Sequence, residues 1–166
     1  EDPLQVIFYL KKRQGNVDLR VDYVYGAAVF STDAKHQLIP DNHPEVLRDY
    51  KQEQRVELLA KNLNFQKTAT GWKKPLPEGE ALYTFFTREL SYMRQLGEVR
   101  MGKKLRERYL DGRKFQPQIE VSESGSWLDV SFDISGIDQH EIDAVLQSLL
   151  RQDHFYTMEN GQVLSL

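Results

Sequence analysis

Two neighbouring residues in the C-terminal third of the sequence carry side chains capable of acid–base or metal chemistry. They are His140 and Glu141, in the stretch SFDISGIDQHEIDAVL, with Asp138 and Asp143 on either side. Imidazole and carboxylate groups are common zinc ligands, and a metalloprotease helix carries them as HExxH. Ala144 stands where that pattern requires its second histidine, so the zinc-protease interpretation fails.

The same residues match the start of a helix. Asp138 is the expected N-cap, accepting from the amide three residues on, and Glu141 is placed to reach back to the amide of Asp138. Apolar residues then recur at helical spacing, which predicts a buried stripe: Ile142, Val145, Leu146, Leu149 and Leu150. We therefore interpret this pair as part of a helix start and predict no chemistry for it.

A second motif, GEVRMGKK from Gly97 to Lys104, resembles a phosphate-binding loop. It matches GxxxxGK, but Lys104 stands where the loop needs a Ser or Thr hydroxyl to hold magnesium. A long amphipathic helix is also predicted to run directly into Gly97, where a phosphate loop would need a preceding strand. We predict that this segment binds no ATP.

No other residue pattern indicates catalysis or a cofactor. The sequence has no cysteine, and its four histidines, at positions 36, 43, 140 and 154, have no metal-ligand spacing. The serines lack the GxSxG setting of a hydrolase nucleophile. We therefore predict a noncatalytic chain with no metal, no cofactor and no small-molecule ligand of its own.

The remaining candidate for function is a cluster of positive charge. Residues 94–114 contain eight Lys or Arg and three acids, a local balance of +5 in a chain whose net charge is −3. Such a stripe can follow a phosphate backbone through counterion release. The alternative, which we favour because such runs are common, is a solvated face or one that docks an acidic neighbouring domain. The candidate contact residues are Arg100, Lys103, Lys104, Arg106, Arg108, Arg113 and Lys114.

The periodicity of apolar residues in the first part of the chain predicts an antiparallel β-meander followed by amphipathic helices. LQVIFYL and VDLRVDYVY indicate a hairpin that turns near Gly15, and AAVFS a third strand. Helices are predicted over 45–63 and 78–96. The apolar side of the first is expected at Val46, Leu47, Tyr50, Leu58, Leu59 and Leu63, opposite KQEQR, and that of the second at Leu82, Phe85, Phe86, Leu90 and Met93. The intervening TATGWKKPLPEGE is expected to be a break between elements.

A β-β-α-β-β unit is predicted from about residue 115, so the fold class is α+β. Its first two strands are FQPQIEV and WLDVSFDIS, where Leu128 to Ile134 alternate between apolar and polar and predict one buried face. Its last two strands are expected to be joined at Asn160 and Gly161 by a two-residue primed turn. We expect 1–166 to form a single module, with possible sub-units 1–112 and 113–166.

Composition also predicts the compartment. The chain lacks cysteine, an apolar run approaching about 18 residues and a signal-peptide pattern, which favours the cytoplasm and excludes a helical membrane anchor in this sequence. Because it begins at Glu1 and stops inside an apolar strand at VLSL, we expect it to be part of a longer protein.

The C-terminal sequence WLDVSFDISGIDQHEIDAVLQSLLRQDHFYTMENGQVLSL has a recognisable order of patterns. A strand LDVSFD is followed by a GID link, a helix with Glu near its start, and a strand pair with an NG turn that ends in LSL. Together with RDYKQEQRVELLAKNLNF and the LYTFF helix that ends in LGEV, this resembles the helicase-associated region of bacterial Swi/Snf-type proteins, which lies just ahead of their ATPase core. The resemblance covers the chain from about Val46 and, more loosely, the meander.

The resemblance implies that the parent is an ATP-dependent DNA helicase or translocase of the bacterial cytoplasm, with ATP and Mg²⁺ in its ATPase core and often a zinc-binding segment upstream. Neither the cysteines of that segment nor the ATPase motifs lie in this chain. It is therefore expected to be an accessory module that packs against or regulates the ATPase core and contacts DNA through the basic segment. The rival hypothesis is an independent nucleic-acid-binding domain that uses residues 94–114.

Overall fold

A computed structural model of the chain describes residues 2–42, 45–114, 117–121, 128–132 and 139–166. For Lys114, Gln139 and the residues described between them, the description is of the backbone. The chain forms two compact units: unit 1 is Glu1–Pro77 with Thr84–Arg106, and unit 2 is Glu78–Tyr83 with Glu107–Leu166. The mixed α+β architecture expected from the sequence is confirmed.

Unit 1 is built on the predicted hairpin, which comprises β1 (Gln5–Arg13) and β2 (Asn16–Tyr25). The strands pair antiparallel from Gln5 opposite Val24 to Arg13 opposite Asn16, and the turn uses Gln14 at a φ of 54° beside Gly15. Alternate residues from Val6 to Tyr25 are buried and form one face of the core.

The far edge of β2 is shared by two strands. Its second half pairs with β3 (Ala28–Ser31), and its first half pairs with β5 (Gly71–Pro75), which forms a hairpin with β4 (Gln66–Thr68). The expectation that TATGWKKPLPEGE only breaks the chain is therefore wrong. Lys74 occupies an inward position of β5, which hides the strand's alternation from a search for apolar residues.

The buried Lys74 is fully engaged. Its Nζ donates to the Leu63 carbonyl at 2.9 Å and to Glu89 Oε1 at 2.7 Å, and lies over the Phe65 and Phe85 rings. A charged side chain is tolerated in a core when it is paired and hydrogen-bonded in this way.

Helix α1 (Tyr50–Asn62) faces the core with different residues from those predicted. Its buried residues are Glu53, Val56 and Ala60, while Leu47, Tyr50 and Leu58 are 79%, 62% and 59% exposed. The predicted apolar side is therefore wrong at these three residues, and a carboxylate takes a core position. Of the other predicted residues, Leu63 is buried, and Val46 and Leu59 are partly buried against the core.

Glu53 is satisfied by partners from outside the helix. The Tyr25 hydroxyl donates to Glu53 Oε2 at 2.6 Å, and Arg48 Nε donates to the same oxygen at 3.1 Å. The hydroxyl also accepts from the amide of Asp49, the N-cap of α1, at 2.8 Å. Tyr25 therefore links β2 to the start of α1. Burial, followed by the hydrogen bond to Glu53, raises the pKa of Tyr25 to about 12.

The predicted second helix is confirmed as three consecutive helical segments: α2 (Glu80–Thr84), a π-helical turn over Phe85–Glu89, and α3 (Leu90–Leu96). Phe85, Leu90 and Met93 are buried. The π-helical turn includes Glu89, the partner of Lys74.

Immediately after α3, the chain enters β6 (Glu98–Met101), which pairs parallel with β1 from Ile7 opposite Glu98 to Leu10 opposite Met101. The short α4 (Lys103–Arg106) follows. The six strands form one sheet in the order β4-β5-β2-β1-β6, with β3 attached to β2. The parallel pairing was not predicted, because nothing local in EVRM identifies a partner so far away in sequence.

Unit 2 contains the predicted β-β-α-β-β order after a short β7 (Tyr109–Leu110). The elements are β8 (Pro117–Val121), β9 (Leu128–Phe132), α5 (Gln139–Leu150), β10 (Phe155–Thr157) and β11 (Val163–Ser165). Strands β8 and β9 pair antiparallel, while β11 lies between an antiparallel β10 and a parallel β7. The side chains of the predicted alternation from Leu128 to Ile134 lie outside the description.

Two local predictions in unit 2 differ from the structure. Ile142 and Val145 are buried as expected, but Leu149 and Leu150 are exposed, because the inward face of α5 continues through Ser148. The last two strands are joined by a longer loop, in which the Gly161 amide donates to the Met158 carbonyl. Of residues 158–162, Gly161 is the one with a positive φ. This is a turn followed by a left-handed glycine, not a two-residue primed turn.

We expect Tyr25→Phe to lower the free energy of unfolding by about 1–3 kcal/mol at neutral pH, because the Asp49 amide and the Glu53 carboxylate lose a buried partner. A raised tyrosine pKa stabilises the fold below the ordinary value of 10.0, and this contribution is lost as the pH rises through about 12. Urea unfolding should therefore give curves for the two proteins that converge above pH 10. Tyr50→Phe, at an exposed tyrosine, is the control; equal stability of Tyr25→Phe and wild type would contradict the prediction.

We expect Gly97→Ala to destabilise the chain by about 1–3 kcal/mol, because its new Cβ would collide with the Val6 carbonyl where β6 meets β1. Gly15→Ala is the matched control, since a Cβ there meets nothing within 4 Å. Urea midpoints of the two variants compare the sites directly. Equal midpoints would show that the close approach of β6 is not required.

Candidate nucleic-acid interface

The second face of the β1–β2 hairpin is polar and charged. The side chains that alternate with the buried residues include Tyr9, Lys11 and Arg13 on β1, and Asp18 and Arg20 on β2. Because side chains of a strand alternate between faces, the buried core positions force these residues onto the opposite face. The helix α1 packs on the core face, through Val56 and Ala60.

A groove of about 730 Å³ lies on this polar face, entirely within unit 1. The 3₁₀ turn Ala34–His36 and the turn at 68–70 between β4 and β5 contribute to its walls. Six Lys or Arg residues and two Asp residues line it: Lys11, Arg13, Arg20, Lys35, Lys73 and Arg100, with Asp18 and Asp33. The groove is therefore a concentration of positive charge on a chain that is negative overall.

Tyr9 contacts two arginines, Arg20 and Arg100, from the neighbouring strands. The Cζ atoms of Arg20 and Arg100 lie 3.9 and 5.5 Å from the centre of the Tyr9 ring. Tyr9 pairs in register with Arg20 on β2 and with Arg100 on β6, and β1 lies between those strands. Arg20 therefore lies over the ring, whereas Arg100, which is farther from the ring centre, lies at its hydroxyl end.

Carboxylates hold both guanidinium groups in place. Asp22 accepts from Arg20 Nε at 3.2 Å and Nη2 at 3.3 Å, and Glu98 accepts from Arg100 Nε at 3.3 Å and Nη2 at 3.2 Å. Arg100 Nη1 also donates to the Tyr9 hydroxyl at 3.0 Å. These pairs fix the orientation of the two arginines and partly offset their charge.

Three lysines of the groove form no ion pair. Arg13 pairs with Asp18 at 2.9 Å, whereas Lys11, Lys35 and Lys73 are exposed and form no ion pair within the part of the chain that the structure describes. Cations that converge in a concave site attract an anionic polymer more strongly than cations scattered over a convex surface. The groove has the charge and shape expected of a site for a phosphate backbone.

The predicted contact residues of the basic segment are divided between the two units. Arg100 lines the groove, and Lys103, Lys104 and Arg106 are exposed in α4 of unit 1. In unit 2, Arg108 donates to the Asn160 carbonyl at 2.8 Å, Arg113 pairs with Asp111 at 3.0 Å, and the side chain of Lys114 lies outside the description. A role for this segment in binding DNA stays a prediction.

Sequence reasoning missed the other five groove cations: Lys11, Arg13, Arg20, Lys35 and Lys73. The signal for part of them was present, because positions 9, 11, 13, 18 and 20 alternate with buried apolar residues. Charge counted along a window of sequence does not detect them, since they come from separate strands and turns.

The two motifs considered for chemistry form hydrogen bonds within the fold. Glu141 is buried and accepts from the Glu159 amide at 2.7 Å, and His140 Nε2 lies 2.8 Å from Glu159 Oε1. Asp138, the predicted cap, lies outside the described residues. In the phosphate-loop motif, the Gly102 amide donates to the Leu10 carbonyl at 2.9 Å, so this amide is engaged within the sheet.

The described residues contain no group of three or more His, Asp or Glu able to hold a metal ion. Within the same residues, no helix has the length and apolar character needed to cross a membrane.

Comparison with known proteins identifies the family of the chain. A family model described as bacterial SNF2 helicase associated matches residues 1–166. No curated protein and no solved structure matches the chain. The match agrees with the order of strand, GID link, helix and strand pair at the C-terminus, and with the helices before it. The chain belongs to the bacterial SNF2 helicase-associated family.

Proposed function

We propose that this accessory module of a bacterial SNF2-type helicase binds the DNA on which its parent acts, through the groove of unit 1. The observation that carries the proposal is the set of three lysines without an ion pair, Lys11, Lys35 and Lys73, which line one concave face together with three arginines and only two carboxylates. Lysines that neutralise phosphates release condensed counterions, which supplies affinity without base recognition.

In this proposal the module is noncatalytic and works in the cytoplasm. ATP and Mg²⁺ belong to the ATPase core of the parent, and the module binds no cofactor and no small-molecule ligand. Its contribution is to hold the helicase on DNA while the ATPase core moves, since a sequence-independent electrostatic contact permits sliding.

The parent's own ATPase core is the second proposed partner. The apolar side chains Leu47, Tyr50 and Leu58, which the sequence places on the core side of the helix, are instead exposed beside or on α1. Large exposed apolar side chains are typical of a surface that another protein covers. We propose that the ATPase core packs on this side, which leaves the groove on the opposite face of the sheet open to DNA.

We expect Lys11→Ala/Lys73→Ala to weaken binding of a labelled DNA duplex by the 166-residue chain. The slope of log affinity against log salt concentration should become shallower by about 2, since each phosphate contact contributes about 0.9. Fluorescence anisotropy at several salt concentrations measures this slope. Lys51→Ala/Lys61→Ala is the matched control, because it removes two exposed lysines of α1 on the other face.

A fourfold alanine variant separates the groove from the rival site. It replaces four cations of the basic segment: Lys103, Lys104, Arg106 and Arg108. Binding that is lost in this variant but retained in Lys11→Ala/Lys73→Ala would assign DNA contact to the basic segment and contradict the groove. Equal losses of affinity in Lys11→Ala/Lys73→Ala and in its control, Lys51→Ala/Lys61→Ala, would also contradict binding by the groove.

We expect Leu58→Glu to reduce association of the module with the parent's ATPase core by about tenfold or more, because it buries a charge in an apolar contact. The variant should unfold at the same urea concentration as the wild type, since Leu58 is exposed. Isothermal calorimetry between the separately purified parts measures the affinity. Unchanged affinity would exclude this side of α1 as the docking surface.

A further inference from the structure

Tyr9 is placed where an aromatic ring in a single-strand-binding groove would stack on a base, but Arg20 already lies over the ring and Arg100 binds its hydroxyl. Proteins that bind unpaired bases on a sheet present open aromatic faces to them. Here Arg20 takes one of those faces, and Arg100 holds the hydroxyl end of the ring. Trp72, which also lines the groove, is 3% exposed, so of the groove's Tyr and Trp rings neither is open on both faces. The remaining ring of the lining is the exposed imidazole of His36.

We infer that the groove recognises the sugar–phosphate backbone and not the bases, and that Tyr9 is a positioning residue that holds Arg20 and Arg100 for contact with phosphates. This inference rests on the proposed function, and names which part of the nucleic acid the same groove contacts.

The hydrogen bonds of the two arginines support this assignment. A guanidinium group has five N–H donors in one plane. Asp22 and Glu98 each accept from the Nε and Nη2 atoms of one arginine, and Arg100 Nη1 also donates to the Tyr9 hydroxyl. The N–H groups left over, at Nη1 of Arg20 and at the second hydrogens of the Nη atoms of Arg100, point away from the carboxylates. Donors held in a fixed plane match the bidentate geometry of phosphate oxygens.

Lysines and arginines then have different tasks in the groove. Lys11, Lys35 and Lys73 form no ion pair among the described residues, whereas Arg20 and Arg100 are partly neutralised and oriented by Asp22 and Glu98. Attraction to the polyanion therefore comes from the lysines, and the register of the backbone from the arginines. Neither group distinguishes one base from another, so affinity should not depend on sequence.

The test compares two single strands of about 15 nucleotides, a length within the range of site sizes of single-strand-binding domains. One is oligothymidine and the other has the same phosphates but abasic sugars. We expect their affinities for the 166-residue chain to agree within about twofold. A stacked base would contribute about fivefold or more, so a clearly weaker abasic strand would overturn the inference.

Failure of the inference and failure of the proposed function give different results. Suppose that Lys11→Ala/Lys73→Ala weakens binding of both strands, but oligothymidine binds much more tightly than the abasic strand. DNA binding by the groove then stands, and backbone recognition is overturned. If the chain binds the labelled duplex but neither single strand, DNA binding stands and the inference is overturned, because a single strand offers the same phosphates. If neither the duplex nor a single strand binds, or if Lys11→Ala/Lys73→Ala binds all of them like the wild type, the proposed function fails as well.

The role of Tyr9 is tested by Tyr9→Leu and Tyr9→Phe on both strands. We expect Tyr9→Leu to weaken binding of the two strands equally, by about fivefold, because two cation–π contacts that hold the arginines are lost. The salt slope should not change, since no charge is removed. Tyr9→Phe keeps the ring beside both guanidinium groups and loses only the hydrogen bond to Arg100, so it should recover most of the affinity.

If Tyr9 only stabilised the fold, the Tyr9→Leu variant would give a different result. The substitution would lower the unfolding midpoint without a loss of affinity under conditions where the variant is folded, and that result would overturn the positioning role. A loss confined to oligothymidine would show that a base stacks on Tyr9, which would overturn backbone recognition.

Discussion

The alternation of the β1–β2 hairpin is the constraint on which the rest of unit 1 depends. Val6, Phe8 and Leu10, with their partners on β2, are buried on one face, so Tyr9, Lys11 and Arg20 must lie on the other. A shift of one residue in register would exchange the two faces and bury the charges. Because apolar burial fixes this register, the same pattern that forms the core also places the cations of the groove side by side.

Charged residues inside the core explain why the inner side of α1 and the strand β5 were not predicted from the sequence. Glu53 and Lys74 take positions that periodicity assigns to apolar side chains, and each is engaged by specific partners: Tyr25 and Arg48 for the first, Glu89 and the Leu63 carbonyl for the second. Burying an unpaired charge would cost several kcal/mol, so a charged side chain is tolerated at these two positions only because its partners are present. A stripe of apolar residues therefore failed to identify the inner side of α1.

The distribution of positive charge in the structure also differs from what the linear sequence suggests. The basic run from 94 to 114 is conspicuous along the sequence, but it is divided between two units, and several of its arginines are held by neighbouring carboxylates or carbonyls. The groove gathers cations from β1, β2, β5, β6 and a 3₁₀ turn. Membership of a family associated with SNF2 helicases makes a DNA backbone the natural ligand to test for such a surface.

The sequence alone determined the elements whose signals are local: the hairpin at Gly15, the two helical segments, the order of strands and helix at the C-terminus, and the patterns that identify the family. These follow from periodicity and turn residues, which act over a few positions. Only the tertiary structure decided that β6 pairs parallel with β1, that Glu53 and Lys74 face inward, and that Arg100 meets Tyr9 across that pairing. Those outcomes depend on residues far apart in the chain, whose contacts no local pattern specifies.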